Sequence, residues 1–274
     1  MSRFEKSILD GKTALITGAG GILGPRHAKA LASVGANLIL LDISEKNLRT
    51  VEKKIKDEFS STNIDTYIAD ISKLDQIKSI SENIVKKNKR VDILINNAAL
   101  NPQMLDDEGI SGMVENYDMD QWNAEINVGL TGTFICSRVF GEMMAKNNSG
   151  VIINISSDLA IRAPDQRVYS PTESYEDIQS FKPIGYSVVK TALIGMTKYL
   201  AEYWGYKGVR VNALLPGGVY SGQANFIFEN VKKRTLLGRW AKIDEYEDAI
   251  VFLASDASAY MTGQSIVMDG GRSV

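Results

Sequence analysis

The sequence predicts an α/β fold, with a doubly wound, mostly parallel sheet covered by helices on both faces. Short apolar runs alternate with longer helix-type segments, an order typical of parallel strands joined by crossover helices. Residues 37–42 form a continuous apolar run, as expected of a strand covered on both sides. Ligands bind beyond the carboxyl ends of the strands in such sheets. The residues that suggest ligand binding stand at those ends: Gly18, Asp42, Asp70, Asn96, Ser157 and Pro216.

Seven strands and six helices are predicted, in an unbroken series. No linker rich in Pro, Gly or Ser divides the chain, so residues 1–274 are expected to form one domain. The predicted elements are strand 12–17, helix 24–34, strand 37–42, helix 44–59, strand 64–69, helix 74–89, strand 91–95, helix 120–146, strand 151–155, helix 184–206, strand 209–214, helix 244–254 and strand 265–268.

Composition excludes several classes of function. The net charge is −2, from 31 basic and 33 acidic residues, so neither nucleic acid nor a membrane surface is expected as a partner. No apolar run approaches the ~18 residues that span a bilayer, and the start of the chain lacks the apolar core of a signal peptide. We therefore expect a cytoplasmic protein. One Cys and one His allow neither an internal disulfide nor a Cys/His zinc site, and no metal is predicted.

A tyrosine and a lysine stand four residues apart in the segment Tyr186-Ser-Val-Val-Lys190. This spacing puts both on one helix face, so the ammonium of Lys190 is expected near the hydroxyl of Tyr186. Tyrosine has an ordinary pKa of about 10, and half-ionising it at pH 7 requires about 4 kcal/mol. A cation about 4 Å away supplies about that energy at an effective dielectric near 20. The pair is predicted to exchange a proton with a hydroxyl or carbonyl group.

A glycine-rich segment, Thr17 to Gly24, joins the first strand to the first helix. Glycines let the backbone approach a pyrophosphate, which then lies at the helix N-terminus, although a simple tight turn is the alternative. Asp42 ends the second strand, where an acidic residue binds the adenosine ribose. Its charge would repel a 2′-phosphate, and no Arg or Lys follows at positions 43–45, so NAD is favoured over NADP. The alternative role of Asp42, a helix cap, is one that Ser44 can fill.

In this order, the motifs resemble those of the short-chain dehydrogenase/reductase family, in its single-domain, Tyr-x-x-x-Lys branch. The matching segments are Leu9-Asp10-Gly11-Lys12, the glycine-rich segment, Asp70, Asn96-Asn97-Ala98-Ala99, Asn127, Ser157, Tyr186 with Lys190, Pro216 to Ser221, and Met268-Asp269-Gly270-Gly271. The resemblance covers nearly the whole chain. It implies a Rossmann-type sheet of seven strands and hydride transfer between a nicotinamide and a secondary alcohol or ketone.

The resemblance also implies roles for individual residues. Tyr186 would be the acid–base, Lys190 would lower its pKa and hold the nicotinamide ribose, and Ser157 would bind the substrate oxygen. Asn127 would keep a water for proton relay, with a contact to helix backbone as the alternative, and Ser156 is the alternative to Ser157. The implied cofactor residues are Gly18, Gly20, Gly21, Ile22, Leu23, Gly24, Asp42, Asp70, Ile71, Asn97, Ala98, Ala99, Tyr186, Lys190, Pro216, Gly217, Val219 and Ser221.

The segment 158–185, between Ser157 and Tyr186, is longer than is usual in that family. It holds three of the six prolines, so a loop is predicted. Long loops beside a catalytic site are usually functional or disordered. We expect this one to form a wall against a polar ligand, with Arg162 or Arg167 meeting an anionic group. A surface loop or a subunit-contact loop is the alternative.

Two further segments are expected to complete the substrate pocket. Residues 219–238 are predicted to be a loop that covers the substrate, and Gly218 is placed beside it as a substrate residue. Residues 104–117 are expected to close the same pocket.

The combined prediction is an NAD-dependent oxidoreductase that acts on a polar alcohol or ketone, such as a sugar, a sugar nucleotide or a polyol. The length of the loop and the glycine spacing also resemble the group that serves bacterial surface or flagellin sugar biosynthesis. One alternative is a 3-oxoacyl-carrier-protein reductase, which Asp42 disfavours because that reaction uses NADPH. Another is a dinucleotide-binding scaffold without turnover. Apolar faces on helices 120–146 and 184–206, which form subunit contacts in the family, predict a homodimer or homotetramer.

Overall fold

The computed structural model describes residues 7–87, 89–100, 112–178 and 180–274. Its strands are β1 (Thr13–Thr17), β2 (Asn37–Asp42), β3 (Ile64–Ile68), β4 (Ile93–Asn96), β5 (Gly150–Ile155), β6 (Val209–Pro216) and β7 (Ser265–Met268). They form one sheet in the order β3-β2-β1-β4-β5-β6-β7. Each pairing of neighbouring strands is parallel. The predicted doubly wound sheet is confirmed, and its carboxyl ends share one edge.

Helices cover both faces of this sheet. They are α1 (Gly24–Ala32), α2 (Glu45–Glu58), α3 (Leu74–Lys86), α4 (Met119–Ile126), α5 (Thr133–Lys146), α6 (Ile184–Gly205), α7 (Asn225–Lys233) and α8 (Glu247–Ala254). In β2, Leu38 and Leu40 pack in the core that contains buried residues of α1, α2 and α8. Ile39 and Leu41 pack in the opposite core, with α3, α5 and α6. Both faces of β2 are therefore buried, which explains its unbroken apolar sequence.

The long helix predicted over residues 120–146 is interrupted. A π-helical segment, Asn127–Gly132, separates α4 from α5. It passes close to its neighbours at two glycines, since a Cβ on Gly129 would lie 2.5 Å from Val189 and one on Gly132 would lie 2.6 Å from Ile71. Such π-turns occur often at functional sites. The interruption was not predictable from local sequence because it follows from packing against α6.

The predicted loop 219–238 is partly helical, because it contains α7. Ile227 and Val231 lie one turn apart on α7 and are buried with Val168 of the segment 158–185. That spacing is typical of a helix with one buried face, so the prediction of a loop over these residues is wrong. The described part of 158–185 has short 3₁₀ turns and no α-helix before Ile184, as its prolines predict.

The remaining expectation about the pocket, closure by residues 104–117, lies largely outside the described residues. Within the described ranges, no helix has both the length and the apolar character needed to cross a bilayer.

Candidate active site

A cavity of about 930 Å³ opens at the carboxyl edge of the sheet, within the usual size range of small-molecule sites. Most residues singled out from the sequence line it: Gly18, Gly20, Gly21, Ile22, Leu23, Asp42, Asp70, Ile71, Asn97, Ala98, Ala99, Ser157, Tyr186, Lys190, Pro216, Gly217, Gly218, Val219 and Ser221. Four of the predicted residues are not among its lining: Gly24, Asn127, Arg162 and Arg167.

The glycine-rich segment forms a tight cradle at the N-terminus of α1. Gly18 has a φ of +60°, and a Cβ there would lie 2.7 Å from the Cα of Ala98. A Cβ on Gly24 would lie 2.4 Å from the carbonyl oxygen of Gly18, so Gly24 serves the packing of the turn. The helix begins at Gly24, and its N-cap residue, Leu23, makes no side-chain cap. The N–H group of Arg26 donates to the Leu23 carbonyl oxygen, so an anion would meet the glycine-rich turn itself at the positive end of the helix dipole, and the cradle fits a dinucleotide pyrophosphate.

Asp42 is tied to this cradle. Its Oδ2 accepts a hydrogen bond from the backbone N–H of Gly20 at 2.8 Å, and its Oδ1 accepts one from that of Ser44 at 2.9 Å. The Ser44 hydroxyl in turn accepts from the N–H of Asn47 and caps α2. Ser44 therefore supplies the helix cap, and the Asp42 carboxylate keeps lone pairs that can face the cavity.

Hydrogen bonds also fix the residues that follow β4 and β3. The Asn97 amide donates to the carbonyl oxygens of Thr17 at 3.1 Å and Gly18 at 2.9 Å, which joins the end of β4 to the cradle. The Oδ1 of Asp70 accepts from the N–H of Ser72 at 2.9 Å and from its hydroxyl at 2.7 Å. Three successive strand ends thus hold rigid polar groups around one side of the cavity.

A buried polar chain joins α6 to the strands that end at the cavity. The Asn96 amide donates to Asn154 Oδ1 and to the Ser137 hydroxyl, both at 2.9 Å. The Asn154 amide donates to the Thr197 hydroxyl of α6 at 2.8 Å. The chain ties β4 and β5 to α5 and α6 through groups with no exposure to solvent. Sequence analysis did not identify it, because no spacing along the chain relates these residues.

Tyr186, Lys190 and Ser157 meet at the end of β5. The Nζ atom of Lys190 donates to the carbonyl oxygen of Ile155 at 2.7 Å and lies 5.6 Å from the centroid of the Tyr186 ring. The Ser156 hydroxyl donates to the backbone carbonyl of Lys190 at 2.7 Å. Ser157, by contrast, hydrogen-bonds the Tyr186 hydroxyl. Ser157 is therefore the serine beside the Tyr186 hydroxyl, whereas Ser156 is bonded to the backbone of α6.

The pKa of Tyr186 differs from the expectation. Burial raises it, the hydrogen bond with Ser157 opposes that change, and the nearby Asp158 carboxylate adds to it. The ammonium of Lys190, from which a lowered pKa was expected, donates its hydrogen bond to the Ile155 carbonyl. Burial, and then the charge of Lys182, lower the pKa of Lys190 itself to about 8. The raised pKa favours the neutral phenol, and the Nζ atoms of Lys182 and Lys190 lie 4.2 Å and 5.6 Å from the centroid of its ring.

Asn127 begins the π segment, and its neighbour Val128 lines the cavity. The predicted relay position is therefore one residue from the wall, on an irregular turn of helix. Asn127 itself is exposed to solvent.

The segment 158–185 does contribute to the cavity, but through residues other than the predicted arginines. Arg167 pairs with Asp165 at 2.9 Å on the outer surface, and Arg162 pairs with Asp158 at 3.2 Å. Both guanidinium groups are thereby held by carboxylates of their own segment. The lining also includes charged and aromatic residues that sequence reasoning did not assign to the site: Asp158, Tyr169, Lys182, Trp240 and Arg272. Arg272 follows the Asp-Gly-Gly motif directly, and no sequence signal marks it.

Known proteins match this chain along its length. A family model described as Enoyl-(Acyl carrier protein) reductase matches residues 18–273. The 3-oxoacyl-[acyl-carrier-protein] reductase of Thermotoga maritima is 34% identical over 267 residues, which cover 96% of this chain and 98% of that protein.

Solved structures share the fold. A gluconate 5-dehydrogenase from Burkholderia cenocepacia, in complex with NADP and tartrate, aligns with a TM-score of 0.83 at 27% identity, covering 98% of this chain and 97% of that one. A short chain dehydrogenase from Leptospira borgpetersenii with bound NAD+ also gives 0.83, at 28% identity, covering 98% and 95%. The similarity therefore extends over nearly the whole chain.

Proposed function

The chain belongs to the short-chain dehydrogenase/reductase family, and we propose that it is an NAD-dependent member that interconverts a polar secondary alcohol and its ketone. Oxidoreduction with a nicotinamide dinucleotide follows from its relatives. The observation that carries the finer proposal is the meeting of Ser157, Tyr186 and Lys190 in one cavity with the glycine cradle. The polar groups contributed by the segment 158–185 support a polar substrate.

Each part of the dinucleotide is assigned to a group of residues that lines the cavity. The cradle at α1 would hold the pyrophosphate, Asp42 the adenosine ribose, and Asp70 with Ile71 the adenine region. Asn97, Ala98 and Ala99 would line the path of the nicotinamide ribose, with Lys190 binding that ribose. Pro216, Gly217, Val219 and Ser221 would contact the carboxamide. Asp42 supports NAD, since a carboxylate beside the ribose would repel a 2′-phosphate.

Proton transfer is assigned to Tyr186. When bound, the nicotinamide ring supplies or accepts the hydride. In ketone reduction the neutral phenol donates its proton to the carbonyl oxygen, and in alcohol oxidation the phenolate accepts the hydroxyl proton. Ser157 would hydrogen-bond the same oxygen. The ammonium groups of Lys182 and Lys190, 4.2 Å and 5.6 Å from the ring centroid, stabilise the phenolate left after reduction.

Asn127 has a secondary part in the proposal. It would keep a water through which Lys190 returns the proton to solvent. The solvent exposure of its side chain is compatible with that role.

Replacement of Tyr186 by Phe tests the assignment. We expect single-turnover NADH formation from a panel of polyols and sugars to fall by roughly 10²- to 10⁴-fold, the usual contribution of general acid–base catalysis. The affinity for NADH should stay within about twofold, because glycine and carboxylate groups elsewhere hold the dinucleotide. Tyr206→Phe, an exposed tyrosine beyond α6, is the matched control. NADH binding by the wild type without turnover of any panel member would instead support the scaffold function.

A 3-oxoacyl-carrier-protein reductase is the second candidate. The description of the family model and the Thermotoga maritima relative favour it. The charged wall formed by Asp158, Lys182 and Arg272 opposes it, because an acyl chain gains nothing from buried charges. Reduction of an acetoacetyl thioester with NADPH, faster than oxidation of any polyol with NAD, would decide for this candidate.

We also propose that the chain forms a homodimer or homotetramer. The outer surfaces of α5 and α6 expose large apolar groups: Phe134, Val188, Tyr199 and Tyr203. Such a patch on two adjacent helices is typical of a symmetric subunit contact. Sedimentation that gives the mass of a monomer at micromolar concentration would contradict it.

A further inference from the structure

A buried carboxylate stands directly beside the serine of the catalytic group. Asp158 follows Ser157 in the chain and is only 2% exposed. Its Oδ1 accepts a hydrogen bond from the Ser157 hydroxyl at 3.0 Å. Its Oδ2 accepts one from Nε of Arg162 at 3.2 Å and lies 3.6 Å from Nη1 of Arg272. The two arginines therefore hold one oxygen of this carboxylate, and the other oxygen is directed at Ser157.

The Ser157 hydroxyl has one proton, and the bond to Asp158 uses it. A serine hydroxyl offers one donor and two acceptor lone pairs, whereas an ionised carboxylate only accepts. One lone pair of Ser157 accepts the backbone N–H of Leu159 at 3.2 Å. The second lone pair remains for the Tyr186 hydroxyl, which is hydrogen-bonded to Ser157. The bonds then run in one direction, from Tyr186 to Ser157 to Asp158, with a protonated Tyr186 as the first donor.

Ionisation of Tyr186 would change what Ser157 must do. Burial raises the pKa of Tyr186, and a hydrogen bond from Ser157 lowers it. A phenolate has no proton to give, so Ser157 can stabilise it only by donating its own proton. Asp158 opposes this twice, because its charge adds to the raised pKa of Tyr186 and its Oδ1 already holds the Ser157 proton. The phenolate must therefore take that proton away from Asp158, whereas the phenol leaves every bond of the group intact.

Other ionisable groups face Tyr186 as well. The Nζ atoms of Lys182 and Lys190 lie 4.2 Å and 5.6 Å from the centroid of its ring. Tyr169, whose pKa burial raises to about 12, is close enough for its charge to interact with that of Tyr186. Asp158 acts on Tyr186 through a bonded intermediate, Ser157, as well as through its charge.

We propose that Asp158 is a positioning residue that holds the Ser157 proton and thereby keeps Tyr186 protonated, the form that donates to a ketone. This inference rests on the proposed function, in which Tyr186 exchanges the proton, and specifies how that exchange is set. At neutral pH the reduction of a ketone finds its proton donor ready. Oxidation of an alcohol requires the phenolate, and so it also requires that Ser157 turn from Asp158. The segment 158–185 thus takes part in the chemistry through its first residue.

Ionisation at position 186 can be measured without a substrate. 3,5-Difluorotyrosine incorporated there gives a fluorine NMR signal that changes as the phenol ionises, and its fluorines bring that ionisation nearer to neutral pH. Asp158→Asn removes the charge, and its amide can turn an N–H toward Ser157, which frees the Ser157 proton for the phenolate. We expect the midpoint to move to lower pH, with the ionised fraction below it rising roughly 3- to 10-fold. A midpoint that is unchanged or moves to higher pH would overturn the proposal.

A second measurement tests whether Asp158 acts through Ser157. Asp158→Asn is made again in protein that carries Ser157→Ala, where only the direct effect of the charge is left. The midpoint should then move less than it does with Ser157 present, because the effects of residues in contact are not additive. An equal movement in both backgrounds would show that Asp158 acts by its charge alone, and the positioning role would be wrong.

Asp165→Asn is the matched control. It makes the same change in the same segment, at an acid that also pairs with two arginines, Arg167 and Arg234, and that is not among the residues lining the cavity. The midpoint at position 186 should keep its wild-type value.

Infrared spectra decide the matter if Asp158→Asn does not fold. Wild type and Ser157→Ala, both labelled with carbon-13 in their aspartates, are compared in the carboxylate region. A carboxylate band should move in Ser157→Ala, because Asp158 loses the hydrogen bond from the Ser157 hydroxyl. Identical carboxylate bands in the two proteins would overturn the proposal.

These results separate the inference from the proposed function. The expected midpoint change without turnover of any polyol or sugar would support the role of Asp158 and contradict the dehydrogenase assignment. Turnover of the panel without a midpoint change would leave the dehydrogenase assignment intact and overturn the role of Asp158. Where both hold, NADH formation in Asp158→Asn should reach half its maximum at a lower pH than in the wild type, since oxidation requires the phenolate.

Discussion

The two sides of the cavity are built from different kinds of contact. The coenzyme side (residues 13–100) is fixed by short hydrogen bonds between backbone groups and side chains at strand ends, such as Gly20 to Asp42 at 2.8 Å. The substrate wall (residues 158–185 and 219–240) depends on pairs of charged side chains from separate segments. Arg234 binds Asp165 and Glu173, both at 2.8 Å.

This difference affects specificity. Backbone cradles depend on glycines and strand ends, so they keep one geometry for one ligand, the dinucleotide. Charged side chains can be exchanged without moving the sheet, so the substrate wall can change its ligand while the coenzyme side stays constant. The further contact between α7 and the segment 158–185, from the Asn230 amide to the carbonyl oxygens of Val168 and Ser170, makes the substrate wall one unit.

The largest effect is expected from a change of Asp42 alone, which should alter cofactor preference and leave substrate binding unchanged. Asp42→Asn removes the charge that disfavours a 2′-phosphate, and like charges in contact cost several kcal/mol. We expect the ratio of kcat/KM for NADP to that for NAD to rise on the order of 100-fold. The KM for the alcohol should not change, because the Asp42 carboxylate is bonded to Gly20 and Ser44, both on the coenzyme side. Steady-state kinetics with each cofactor measures both quantities.

Asp57→Asn provides the matched control for Asp42, since it makes the same change on an exposed position of α2. Its cofactor ratio should equal that of the wild type. An altered alcohol KM in Asp42→Asn would show that the two sides of the cavity are coupled.

The same contrast explains which features were predictable. The alternation of strands, the cradle and Asp42 are local patterns, and the structure has them where the sequence predicted. The π segment at Asn127 depends on packing against α6, and α7 is stabilised by burial of Ile227 against the segment 158–185. The ion pairs of Arg234 join residues 60 to 70 positions apart, so no local sequence pattern predicts them. Arg162 and Arg167 were predicted to meet an anionic group of the ligand, and in the structure they pair with Asp158 and Asp165.

A smaller effect is expected from breaking the substrate wall. Arg234 is 18% exposed and joins α7 to two acids of the segment 158–185. Arg234→Gln should raise the substrate KM by roughly threefold to tenfold, as partly buried charge-assisted bonds suggest. NADH affinity should stay unchanged, because both partners of Arg234, Asp165 and Glu173, belong to the substrate wall. Lys232→Gln, whose ion pair lies within α7, is the control that should leave KM unaltered.

The stability of the protein at acidic pH provides a second test of the ion pairs between Arg234 and its two acidic partners. Hydrogen bonds from Arg167, and then Arg234, hold the pKa of Asp165 well below its usual range, against the effect of burial. A depressed carboxyl pKa stabilises the fold above the unfolded value of about 3.9, and that stability is lost as pH falls below it. Unfolding midpoints between pH 5 and pH 3 should therefore fall less steeply in Arg234→Gln than in the wild type. An equal slope would indicate that Arg234 does not contribute to the cluster.

The last effect is on the pH dependence of the free energy of unfolding. It concerns Lys190, which lies where the two sides of the cavity meet. Burial lowers its pKa to about 8, below the value of about 10.4 in an unfolded chain. Between these values the unfolded chain binds more protons than the folded one, so stability rises with pH, by at most about 1.4 kcal/mol per pH unit. Below pH 8 the cost of the buried charge is fully present. Lys190→Met should remove this slope, and urea unfolding between pH 8 and pH 9.5 measures it.

The unfolding measurements stop at pH 9.5 because tyrosines ionise above that pH. Burial raises the pKa of Tyr186, and it raises the pKa of Tyr169 to about 12. Raised tyrosine pKa values reduce stability above about pH 10, where the unfolded phenols ionise first. Lys146→Met, at an exposed position of α5, should keep the wild-type slope. If Lys190→Met keeps it as well, the lysine is charged and compensated in the folded protein, and the carbonyl oxygen of Ile155 holds it with no loss of its proton.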